Sequence, residues 1–104
     1  ATQVATALDV TVGAVASGTT SVDAHLEYLR GLEAFGRYRV PEAKKAIAHF
    51  QRSQQLDPRY GAPYAAEARA RAQVVQLTGG EIAPLRPELR RLAERAVELS
   101  PGLG

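Results

Sequence analysis

Three clusters of proline, glycine and small polar residues constrain this chain more than any other feature. They are Gly18-Thr19-Thr20-Ser21, Asp57-Pro58-Arg59-Tyr60-Gly61 and Thr78-Gly79-Gly80-Glu81-Ile82-Ala83-Pro84, with a softer break from Gly36 to Pro41. Proline has no amide proton and disfavours the helical conformation in the residue before it, so a helix cannot run on through such clusters. The four stretches they delimit after Thr20 are helix-sized, and in each the apolar residues recur at helical spacing.

In the first stretch Leu26, Leu29, Leu32 and Phe35 recur every third residue, with Tyr28 beside them. Thr20-Ser21-Val22-Asp23 precedes it as a capping box, a hydroxyl and a carboxylate three apart. In the second, Pro41 suits a first helical turn, Glu42 favours its positive end, and Ala43, Ala46, Ile47 and Phe50 form one face. The third carries Tyr64, Ala65, Ala68, Ala72 and Val75 and stops at Gly79. The fourth carries Leu85, Leu89, Leu92, Ala93, Ala96 and Leu99, with either Pro84 or Pro87 as its first helical residue. The chain is therefore expected to be all-α. Residues 1–20 form a separate segment, a short helix from Thr2 to Asp9 followed by irregular chain, because Val10, Thr11, Val12 and Gly13 are poor helix formers.

An internal repeat links the second and fourth helices. Ala46, Phe50, Ser53 and Pro58 match Leu89, Ala93, Ala96 and Pro101 at identical spacing, and the two prolines stand 43 residues apart. Each of these helices follows another, so the repeating unit is a helix pair. Gly31, Ala46, Phe50, Ser53 and Leu56-Asp57-Pro58, with Tyr64 and Ala68 opening the next unit, resemble the tetratricopeptide repeat. The resemblance implies an α-solenoid of two helix-turn-helix pairs, about 21–60 and 61–103. Within it Gly31, Ala46, Phe50, Ser53, Pro58, Tyr64, Ala68, Leu89, Ala93, Ala96 and Pro101 would be packing positions. It also implies a concave wall made by the first helix of each pair, with Tyr28, Leu32, Phe35, Ala65, Arg69 and Gln73 facing a bound peptide or helix. The Lys and Asn that clamp a peptide carboxylate in chaperone-binding members are replaced here by Ala65 and Arg69.

A narrower resemblance runs through Ala24-His25-Leu26-Glu27-Tyr28-Leu29-Arg30-Gly31 and Leu56-Asp57-Pro58-Arg59-Tyr60-Gly61-Ala62-Pro63-Tyr64-Ala65. It is similar to repeats of bacterial signalling proteins that carry a winged helix, a cyclase or a kinase elsewhere, commonly after a membrane span. The chain starts at Ala1 and has no methionine. It is thus expected to be a piece of such a protein, either cytoplasmic or periplasmic.

Composition narrows the function. Without cysteine there is no disulfide scaffold, thiolate metal site or cysteine nucleophile. His25 and His49 lie on different helices and are expected to be solvated, not metal ligands. No phosphate-cradling loop and no serine with a legible His-acid partner occurs, so neither enzyme activity nor a cofactor is expected. The formal charge is only +2, which argues for a protein or peptide partner, including a second copy, over nucleic acid. The nucleic-acid alternative rests on Arg37-Tyr38-Arg39 and Arg59-Tyr60 stacking on bases. On the fourth helix Arg86, Arg90, Arg91 and Arg95 interleave with Glu88, Glu94 and Glu98 and are expected to be neutralised by them. Val4, Leu8 and Val12 of the first segment are the chain's own candidates for covering the concave wall.

Overall fold

A computed structural model describes residues 2–100, with side chains from residue 10 onward. Five α-helices follow in order: α1 (Thr2–Ser17), α2 (Val22–Phe35), α3 (Val40–Leu56), α4 (Ala62–Thr78) and α5 (Arg86–Leu99), with one 3-10 turn at Ala83–Leu85. No strand is present among the described residues.

The breaks act through the chemistry of their residues. Asp57 is extended at φ −147, as the following proline demands. Gly79 ends α4 in the left-handed region at φ 71, with its amide bonded back to the last turn. Pro41, Pro63 and Pro87 all fall in first turns, while Pro84 lies in the 3-10 turn. Both candidate prolines of the fourth helix are thus used, one for each element. At the start of α2 the cap is Ser21, whose hydroxyl accepts from the Ala24 amide at 3.1 Å, and not Thr20.

One expectation fails at the N-terminus. The irregular chain expected after Asp9 is helical, and α1 continues to Ser17. Tertiary contact outweighs the weak local propensity: Ala14 is buried, and the backbone at Gly13 lies against the His25 ring of α2. Gly18, at φ 110, then ends the helix.

Helices α2, α3 and α4 share one core of Ala34, Ala46, Phe50, Ala66 and Ala70, with Tyr28, Leu32, Phe35 and Ile47 packed around it. Helix α5 packs on α4, and α1 on α2. This cluster is built from small residues around the Phe50 ring. Phe50 is fully buried and lies so close to α2 that a Cβ on Gly31 would collide with it. Ser53, also fully buried, donates its hydroxyl proton to the Ala24 carbonyl at 2.7 Å. The leucine stripe of α2 is not its buried face. Ala24, His25, Glu27, Gly31 and Ala34 are buried there, while Leu29 is 43% exposed. Close helix approach selects small side chains for the contact line and leaves large ones at its margins.

Of the repeat positions, Ala46, Phe50, Ser53 and Ala96 are buried, Leu89, Tyr64 and Ala68 are half-buried, and Pro58 and Ala93 are exposed. Ala93 is on the exposed side of α5, whose buried residues are Leu92 and Ala96. Pro101 lies outside the described residues.

A candidate binding groove between α2 and α4

Leu32 and Phe35 on the last turns of α2 and Ala66 and Arg69 on α4 line a cavity of about 80 Å³, with Phe50 of α3 also in its wall. The site exists because α2 and α4, which are not consecutive, touch each other beside α3. The Arg69 guanidinium lies over the Phe35 ring, 5.8 Å from its centroid, within the range of a favourable cation–π contact. Burial pushes the Tyr28 hydroxyl above its ordinary value of 10.0, with the nearby Arg69 charge opposing this. Tyr28 meets the Phe50 ring at 6.0 Å and Tyr60 edge-on at 5.5 Å, so it stiffens the adjoining wall.

The six residues expected on the concave wall do not share one cavity. Leu32, Phe35 and Arg69 converge. Ala65 instead borders a neighbouring cavity of about 140 Å³ with Ser17, Gly18, Ala62, Ala96 and Leu99. Gln73 is not open to a ligand in this state: it is 4% exposed, and its amide donates to the Phe35 carbonyl at 3.1 Å. It satisfies an orphan carbonyl at the end of α2, which a helix terminus otherwise leaves unpaired. The cover expected from the first segment is also not as read. Val12 is 58% exposed, and the side chains of Val4 and Leu8 lie outside the described residues.

Two further clusters escaped the sequence reading. Glu27 is 8% exposed and lies 2.7 Å from both His49 Nδ1 and Arg30, with Arg52 at 3.7 Å. Burial raises the Glu27 carboxyl, but hydrogen bonds from His49 and Arg30 and their charges outweigh it, holding the group below its ordinary value of 4.5. The burial of Glu27 was legible in principle, because it falls on the small-residue line of Ala24, Gly31 and Ala34, whereas its pairing with His49 on the next helix was not. The second cluster joins α1 to the rest. Tyr60, fully buried, shares its hydroxyl with Ser17 and with His25 Nδ1 at 3.2 Å, and Thr19 donates to Asp57. His25 is not the solvated side chain expected, at 8% exposed, while His49 stays 36% exposed and pairs with Glu27.

Tyr60 cannot offer a face to a base, which removes half of the aromatic pattern behind the nucleic-acid alternative. Tyr38 is 65% exposed, but Arg37 beside it is paired with Glu33 at 3.0 Å. On α5 Arg91 and Arg95 pair with Glu88 and Glu98, whereas Arg86 and Arg90 make no ion pair among the described residues. No group of three or more potential metal ligands occurs among the described residues, and no described helix is long and apolar enough to cross a membrane. No family model, curated protein or solved structure matches the chain.

Proposed function

We propose that the chain is a non-catalytic interaction module, two tetratricopeptide-like helix pairs that hold a peptide or helix in the groove between α2 and α4. The single observation behind this reading is the groove itself. Half-buried Leu32 and Phe35 and an exposed Arg69 surround an apolar cavity that no described side chain fills.

The solenoid reading draws support from the packing order. Successive helices pack pairwise and α2 meets α4, as first helices of adjacent pairs do in such arrays. The dimensions agree: a radius of gyration of 14.6 Å exceeds the ~13 Å of a compact domain of this length, and the molecule is only 19 Å thick against 50 and 33 Å. Membership of a bacterial signalling protein is the wider context that the sequence resemblance implies.

Peptide display against the immobilised chain tests the reading, followed by affinity measurements with Leu32→Asp and Phe35→Asp. Both variants are expected to lose at least about tenfold in affinity, the cost of placing a charge in an apolar contact. Unchanged binding in variants that remain folded contradicts the groove assignment.

A further inference from the structure

We infer that the groove between α2 and α4 selects a peptide in which an aliphatic side chain stands next to a carboxylate. This rests on the binding reading above and adds the chemistry of the ligand.

Two observations converge. The first is size. A cavity of about 80 Å³ is roughly half the ~150 Å³ of an engineered cavity that admits benzene, so a branched aliphatic group suits it better than an aromatic ring. Leu32, Phe35, Phe50 and Ala66 supply an apolar wall, against which a polar group would lose its water without gaining a partner.

The second is charge. Arg69 borders the cavity and makes no ion pair among the described residues. Arg71, two residues on, is already held by Glu67 at 2.7 Å and Glu88 at 3.6 Å, and Arg30 by Glu27. Resting over Phe35, Arg69 is a restrained cation whose planar donors suit a carboxylate.

The test uses blocked heptapeptides with Leu-Glu, Leu-Lys or Trp-Glu at the centre of a Gly/Ser frame. Binding is followed through the NMR resonances of Leu32, Phe35 and Ala66. The Leu-Glu peptide is expected to bind about fivefold more tightly than Leu-Lys, the effect of one partly exposed ion pair, and more tightly than Trp-Glu. Arg69 is exposed, so Arg69→Ala is expected to keep the fold by circular dichroism and to abolish the preference for Glu over Lys. Equal or tighter binding of Leu-Lys or Trp-Glu overturns the inference. Shifts of the same resonances on concentrating the chain alone overturn it too, because a second copy then fills the groove. If a display-selected peptide moves these resonances and the Leu-Glu peptide does not, the ligand chemistry is wrong and the groove stands. If neither moves them, both readings fall.

Discussion

Gly31 allows α2 and α3 to approach as closely as they do. A glycine inside a helix costs about 1 kcal/mol relative to alanine, and here the missing Cβ makes space for the Phe50 ring. Gly31→Ala is therefore expected to destabilise, since overpacking a buried ring costs about 1–3 kcal/mol and outweighs the gain in helix propensity. Urea denaturation measures the sign directly: a lowered midpoint agrees with the account, and an unchanged or raised midpoint contradicts it. At this scale the sequence is legible where a residue's size carries the information. Ala46, Phe50 and Ser53 read as small, aromatic, small, and all three are fully buried. It is illegible where a polar residue is buried through partners far along the chain. Glu27 depends on His49, Tyr60 on Ser17, and Gln73 on Phe35, and no local spacing records those pairs.

Between elements, two polar junctions do different work. Glu27 joins α2 to α3 through His49 and Arg52. Its folded-state value lies below the ordinary 4.5, so it contributes stability above the unfolded value that is lost as pH falls through the folded one. Glu27→Gln is expected to be less stable at neutral pH by about 1–3 kcal/mol. The two stability curves should converge as pH falls below about 4.5, and parallel curves contradict the assignment. The second junction fastens α1. With the Tyr60 hydroxyl removed, Ser17 and His25 lose their shared partner. Tyr60→Phe is expected to loosen α1 by about 1 kcal/mol, read as roughly fivefold faster amide exchange in Ala14–Ser17 with α3 unchanged. Exchange that rises equally in both helices contradicts a local latch. The element boundaries set by proline and glycine were readable from the sequence, because those residues act on their own neighbours. The length of α1 was not, since it is decided by Ala14 and Gly13 meeting α2.

For the whole molecule, the apolar stripes matched the four helices after Thr20, but the leucine stripe of α2 misplaced its contact line, because close packing moves large side chains to the margins. Apolar residues stand exposed on the first and last described helices, Val12 and Val15 on α1 and Val97 on α5. If the helix pairs stack as proposed, an outermost unit needs a polar face or a cap, so association of copies through these helices is expected. Sedimentation velocity checks it: the apparent mass should rise with concentration and return to monomer with Val97→Lys, and a monomer at every concentration contradicts it. The central claim is narrower, that a partner lies between α2 and α4. The most direct measurement is the NMR footprint of a display-selected peptide on the labelled chain. The largest shifts are expected on Leu32, Phe35, Ala66 and Arg69. A footprint on the Arg37–Arg39 turn or on α5, with those four unmoved, would contradict it.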